Sequence, residues 1–182
     1  MSIFPLRLAT PDDAAVIQEI YAPYVLDSAT SFETEIPSAT ELAERISATL
    51  DFYPWLVCED EGVVVGYAYA SAHRARAAYC WAVDVSVYIA ASHQRRGLGR
   101  ILYTALFERL IQQGFFVAIA GITLPNPGSV GLHESLGFTH VGTYHNIGFK
   151  AGAWQDVGWW EKSLQPPTQG TPPPTRGIQE LG

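Results

Sequence analysis

Val85-Ser86-Val87-Tyr88-Ile89 runs into Ala90-Ala91-Ser92-His93-Gln94-Arg95-Arg96-Gly97-Leu98-Gly99-Arg100-Ile101-Leu102, and this stretch decides the fold. The β-branched and aromatic run reads as a strand. It ends in a short polar turn, after which a glycine-containing segment opens an amphipathic helix. A strand thus delivers the chain to a helix N-terminus, where backbone N–H groups lack intrahelical partners and the positive end of the helix dipole points outward. Such a terminus is an anion site. Gly97 and Gly99 let a phosphate approach the backbone with no Cβ in the way, and Arg95 and Arg96 stand beside it.

Two nucleotide motifs are excluded by residue identity. The dinucleotide fingerprint needs a third glycine where this chain has Leu102, and no P-loop run Gly-x-x-x-x-Gly-Lys-Ser/Thr occurs. What remains is Gln-x-x-Gly-x-Gly from Gln94 to Gly99, between a strand and a helix. It resembles the acyl-CoA-binding motif of the GCN5-related N-acetyltransferase (GNAT) family.

The 182 residues fit one domain with a sizeable core, and 48% apolar with 16% charged residues describes a soluble globular chain. A net charge of −7 argues against a general nucleic-acid or anionic-membrane binder. Against that acidic background, Arg74/Arg76 and Arg95/Arg96/Arg100 stand out as local basic spots suited to a small anionic ligand. Cys58 and Cys80 show neither a disulfide framework nor a zinc spacing, and both lie in apolar runs that read as buried. The N-terminus lacks the pattern of a signal peptide, and no run approaches the ~20 apolar residues of a membrane span. A cytoplasmic location is expected.

Ile3 to Ala9 reads as a first strand. Thr10-Pro11-Asp12-Asp13 starts a helix over about 12–27 that Pro23 should kink or end. A polar loop, Asp27 to Pro37, carries one large aromatic, Phe32. Ser38-Ala39-Thr40-Glu41 is a capping box opening a helix to about Leu50. Trp55–Glu59 and Val63–Ser71 form a hairpin, and Tyr79 to Ile89 is a further strand. The helix from Gly97 ends at Gly114, and Phe115–Thr123 reads as a strand buried on both faces. Pro125-Asn126-Pro127-Gly128 starts a helix through about Leu136, and two last strands, Phe138–Phe149 and Trp154–Leu164, complete the order β-α-α-β-β-β-α-β-α-β-β. The expected fold class is α/β of the α+β kind, a mixed and mainly antiparallel sheet flanked by helices. Residues 1–165 read as the domain, and 166–182 as a Pro-rich flexible tail outside it.

Further stretches extend the resemblance. Leu124-Pro125-Asn126-Pro127-Gly128 through His133-Glu134-Ser135-Leu136-Gly137-Phe138 is similar to the second signature block of the GNAT family. Ala78 to Tyr88, Gly152 to Gly158 and Ser31-Phe32-Glu33-Thr34-Glu35 resemble the phosphinothricin acetyltransferase subfamily, so that residues 3–164 are covered. The resemblance implies the GNAT fold and direct transfer of acetyl from acetyl-CoA to a primary amine. In that chemistry the ammonium must lose a proton to a base, the oxyanion needs a donor, and the departing thiolate is helped by an acid.

The family's base is usually a Glu, and the matching residue here is Asp84, one methylene shorter. On the acid side stands His133, where many members carry Tyr. The resemblance assigns the CoA pantetheine to the backbone of Val87, Tyr88 and Ile89 and to Asn126. It assigns the pyrophosphate to Arg95, Arg96, Gly97, Leu98, Gly99 and Arg100. For the acceptor it points to Phe32, Arg74, Arg76, Tyr79 and Tyr88, with Arg76 for the anionic end. No metal is expected, since the histidines fit no ligand spacing.

The acceptor so implied is a phosphinothricin-like, methionine-sulfone-like or methionine-sulfoximine-like amino acid, and the subfamily habit is a homodimer. A protein N-terminus, a polyamine and a non-catalytic CoA-binding module are the alternatives. Arg74 and Arg76 weigh against a polyamine, and the Asp84 departure keeps the non-catalytic module open.

Overall fold

The computed structural model describes residues 4–181. Seven strands form one sheet in the order β1-β2-β3-β4-β5-β7-β6: β1 Leu6–Leu8, β2 Trp55–Asp60, β3 Val63–Ala72, β4 Ala82–Ile89, β5 Val117–Leu124, β6 Thr139–Lys150 and β7 Ala153–Ser163. Every pairing is antiparallel except β4 with β5. The helices are α1 Ala14–Leu26, α2 Ala39–Leu50, α3 Leu98–Gln113 and α4 Pro127–Ser135. The mixed sheet expected from the sequence is observed. Ile3, at the start of the expected first strand, lies outside the described residues.

Local chemistry explains the boundaries. Ser38 accepts from the Glu41 N–H at 3.2 Å while the Glu41 carboxylate returns to the Ser38 N–H at 2.7 Å, the reciprocal box that starts α2. Asn126 caps α4 through the Ser129 N–H at 3.1 Å. Gly97 and Gly114 bracket α3 in the left-handed region, at φ +84° and +93°. Pro23 sits inside α1, which ends one turn later with the Asp27 N–H on the Pro23 carbonyl.

Period-two alternation splits the sheet between two helical layers. Trp55, Val57 and Tyr67 face Ile17, Ile20, Leu42 and Ile46 of α1 and α2. Leu56, Ala68, Val83 and Val85 face Leu98, Leu102, Leu106 and Leu110 of α3. At roughly 1.5–3 kcal/mol for each large buried aliphatic side chain, these two cores supply most of the drive to fold.

Three expectations are corrected. β5 is not buried on both faces: Ala118, Ala120 and Ile122 are buried against the α3 layer, while Gly121 between them is exposed. Cys80 is exposed, because the chain makes a 3₁₀ turn over Ala77–Tyr79 before β4 begins; only Cys58 is buried, and burial pushes its thiol up to about 11. The tail is held rather than free. Trp81 Nε1–H donates to the Pro173 carbonyl at 2.9 Å, the Arg176 N–H to Gln113 O at 2.9 Å and the Ile178 N–H to Phe52 O at 2.9 Å. The buried Gln113 amide donates to both Phe52 O and Arg176 O at 2.8 Å, and Ile178 is buried. Proline removes donors but not carbonyls, and the body of the protein uses them.

Candidate active site

The β4–β5 ladder is confined to Ala82–Asp84 with Val117–Ile119. Both strands continue beyond it, β4 to Ile89 and β5 to Leu124, with a cleft of about 60 Å³ between them. Val85–Tyr88, Ala120–Thr123 and the α4 residues Ser129 and His133 line it, with Asn126 and Tyr103.

Backbone alternation decides what this cleft offers. The Ala90 N–H bonds to Val65 O, so Ala90 and every second residue before it, including Tyr88 and Ser86, turn N–H and C=O toward β3. Val85, Val87 and Ile89 turn theirs the other way. Ile89 is already engaged, its carbonyl accepting from the Tyr24 hydroxyl at 2.7 Å and its N–H lying 3.3 Å from the same oxygen. The unpaired backbone along the cleft is therefore that of Val85 and Val87. Of the expected Val87, Tyr88 and Ile89, only Val87 has its main chain open there. Tyr88 is tied into the β3 ladder, and its ring packs on the other face 5.0–5.3 Å from Tyr21, Tyr24 and Tyr67.

Where the cleft meets α3, Arg95 turns the chain at φ +59° and Gly97 at φ +84°. The first intrahelical bond is Ile101 N–H to Gly97 O at 3.1 Å, so the N–H groups of Leu98, Gly99 and Arg100 precede it. Two of the three arginines are occupied: Arg96 lies 3.2 Å from Asp60 Oδ2, and Arg100 donates to Ser135 Oγ at 2.9 Å. The free donors at the start of α3 are thus mainly backbone, with Arg95 beside them. Gly99 has a packing role that the motif does not suggest, since a Cβ there would meet Leu132 Cδ2 at 2.8 Å.

On the opposite face, Ser71 of β3 stands opposite Asp84 of β4, and His73 lies two residues beyond Ser71. His73 Nδ1 is 2.7 Å from Asp84 Oδ1, and the Tyr79 ring meets the imidazole edge-on at 5.7 Å. Burial raises the Asp84 carboxyl above its ordinary value, while the His73 contacts and the charge of Arg74 pull the other way. The structure brings Asp84, His73, Arg74 and Tyr79 together. Arg76, at the end of the same bend, is exposed.

Phe32 belongs to a different wall, packed over Gly148 of β6. Its loop is fastened by Lys150 Nζ to the carbonyls of Ser31 and Glu33 and by Arg45 to Glu33 at 2.6 Å. A cavity of about 380 Å³ lies between that loop, α2 and the sheet, with Tyr21, Tyr53, Trp55, Tyr67, Tyr69 and Ser71 in its wall. Tyr69 and Ser71 bring it beside Ser86 and Asp84 of β4.

His133 is buried at the inner end of the cleft. Its Nδ1 lies 2.8 Å from the Ser129 carbonyl, which fixes Nδ1 as the donor, and Nε2 is then the acceptor for the Tyr103 hydroxyl at 3.1 Å. Burial lowers the pKa of His133 and raises that of Tyr103, so both are neutral near pH 7.

His73 and Tyr103 are the site residues that sequence reasoning missed. A signal existed for His73, because the hairpin register puts it on the face of Asp84. Tyr103 gave none, because its partner His133 lies 30 residues away on another helix. Among the described residues no group of three His, Cys, Asp or Glu could hold a metal ion.

Residues 6–159 match the family model of the acetyltransferase (GNAT) domain. The chain belongs to the GNAT acetyltransferase family. This GNAT protein is 43% identical to phosphinothricin N-acetyltransferase of Streptomyces viridochromogenes over 97% of its own length and 95% of the relative's. It is 36% identical to the L-methionine sulfoximine/L-methionine sulfone acetyltransferase of Salmonella typhimurium, over 87% of this chain and 94% of that one. Its fold superposes with a TM-score of 0.89 on the crystal structure of a GNAT superfamily phosphinothricin acetyltransferase from Sinorhizobium meliloti in complex with AcCoA, at 38% identity and covering 93% of each chain. No helix among the described residues is long and apolar enough to cross a membrane.

Proposed function

We propose that this protein transfers acetyl from acetyl-CoA to the α-amine of a small amino-acid acceptor of the phosphinothricin, methionine sulfone or methionine sulfoximine type. One observation carries this. Asp84 stands where β4 parts from β5, so one strand offers a carboxylate to an acceptor on one side and, from the next residue on, free backbone to a cosubstrate.

The open main chain of Val85 and Val87 suits the pantetheine amides, as an edge strand suits an added strand. The N-terminus of α3 and Arg95 suit the pyrophosphate, and Asn126 lines the cleft between them and His133. The acceptor's carboxylate pairs with Arg76 or Arg74, Tyr79 and Phe32 flank it, and its side chain enters the aromatic-walled cavity beside Tyr69.

Asp84 provides the negative charge that draws the ammonium in and drives its deprotonation. The free amine attacks the thioester carbonyl, and main-chain N–H groups of β4 face the oxygen on which charge develops. The departing sulfur takes up the second proton of the attacking nitrogen, relayed through the Tyr103 hydroxyl, which gives its own proton to sulfur and regains one from the new amide while His133 orients it. No step calls for a metal. The working form is a cytoplasmic homodimer joined through β6 and β7, where Val141, Tyr144, Ile147, Phe149 and Trp154 are each more than half exposed.

A thiol-release assay tests the transfer, with acetyl-CoA against phosphinothricin, methionine sulfone, methionine sulfoximine and a panel of control amines. Release is expected with the amino acids and not with polyamines. Acetyl-CoA binding without release across the panel would contradict it. For the dimer, sedimentation equilibrium should give twice the chain mass, and Trp154→Glu should give the monomer.

A further inference from the structure

We propose that the imidazole of His73 takes the proton from the acceptor's ammonium, with Asp84 holding that imidazole in the tautomer able to do so. This rests on the acetyl-transfer function above and names the atom of its first step. Asp84 Oδ1 and His73 Nδ1 are 2.7 Å apart, with side-chain exposures of 33% and 13%. A carboxylate is acceptor-only, so Nδ1 is the donor and the lone pair of the neutral ring lies on Nε2. Nε2 has no hydrogen-bond partner among the described residues. The backbone is pinned at this point by Arg74 Nη1 on the His73 carbonyl at 3.2 Å, and the Tyr79 ring edge limits rotation of the imidazole.

The chemistry favours the imidazole over the carboxylate. An imidazole is intrinsically a stronger base than a carboxylate, so it is the better match to an ammonium at neutral pH. Asp84 then does what a carboxylate behind a catalytic histidine does: it fixes the tautomer and offsets the charge of the imidazolium as it forms. The groups that bear on this pair are Asp84 from β4, Tyr79 from the 3₁₀ turn, Arg74 from the adjoining bend, and Tyr69 and Ser71 from β3. Among the described residues only the Asp84 side chain is hydrogen-bonded to the ring.

The step balances as follows. One N–H bond of the ammonium breaks, its proton forms a bond to Nε2, and the electron pair left on nitrogen attacks the thioester carbon. The C–S bond breaks with its pair going to sulfur, which gains a proton as the new amide nitrogen loses its second one. The proton on Nε2 passes to solvent, matching the single proton that the overall reaction releases.

His73→Gln tests this, because its amide can still donate to Asp84 but cannot take a proton. With methionine sulfone as acceptor, kcat should fall about 10²-fold, in the range removal of a general base costs. Acceptor KM and acetyl-CoA Kd should change less than about 3-fold, and the ascending limb of the kcat/KM–pH profile should move. An unchanged kcat and limb would overturn the assignment and leave the acetyl-transfer function standing. Failure of that function itself looks different: the unaltered protein then releases no thiol with any amino acid. A second test needs no variant. Nitrogen-15 shifts of His73 in the native protein should report the Nδ1–H tautomer with a bare Nε2, and an Nε2–H tautomer would overturn the proposal.

Discussion

The Tyr103 hydroxyl donates to His133 Nε2 across 3.1 Å, both side chains buried where the β4–β5 cleft meets α4. The His133 ring cannot turn to release that bond without losing the Ser129 carbonyl from Nδ1. Tyr103→Phe should therefore leave Nε2 unpaired, costing about 1–3 kcal/mol of stability in urea unfolding. If the pair also serves the departing thiolate, kcat should drop about 10- to 100-fold with acetyl-CoA affinity kept. Full turnover with lowered stability would leave the pair a purely structural role.

The same burial makes a pH statement. The pKa of folded His133 is depressed below its ordinary 6.5, so below that value the unfolded chain binds a proton that the folded one refuses. Stability should be complete above about pH 6.5 and decline as the pH falls below it. Replacing the imidazole by an uncharged amide, His133→Gln, should flatten that part of the curve. Urea midpoints at several pH values from 5 to 8 read the difference directly.

Gly148 is the floor under Phe32, and a methyl group there would collide with the Phe32 ring. Gly148→Ala should push Phe32 off β6, raising acceptor KM several-fold while acetyl-CoA KM is unchanged. Equal effects on both substrates would instead mean a global disturbance of the β6–β7 end.

The tail contributes stability through Ile178 and through Gln113, whose amide bridges Phe52 and Arg176. Ile178→Ala should cost about 2 kcal/mol, at the low end for a buried aliphatic truncated to Ala because the site lies at the periphery. Removing residues 171–182 should cost more, since the Gln113 amide then loses one of its two acceptors. A thermal midpoint that does not move would mean that the tail makes these contacts without net gain.

What could be read in the chain was local. The Ser38–Glu41 box, the Asn126 cap and the glycines around α3 act over three or four residues, so their chemistry is complete within a short window. The Gln94–Gly99 run belongs to the same class. What could not be read depends on partners far along the chain. Arg96 reads as a phosphate ligand in the sequence, while in the fold Asp60, 36 residues away, lies on its guanidinium. The sequence offers Tyr88 to a pantetheine arm, yet the β3 register turns its main chain aside. The Tyr24 hydroxyl occupies Ile89, and Gln113 captures a tail whose composition alone says extended and solvated. His73 lies between these cases: its pairing with Asp84 follows from the register of one hairpin, once that register is known.

The central claim is that Asp84 drives deprotonation of an amine while acetyl-CoA is held independently by β4 backbone and the start of α3. Asp84→Asn keeps the shape and removes the charge. Turnover of methionine sulfone should fall about 10²- to 10⁴-fold, with acetyl-CoA Kd by calorimetry within about 2-fold of the unaltered protein. A variant that binds acetyl-CoA normally and keeps kcat/KM within about 3-fold would contradict the account.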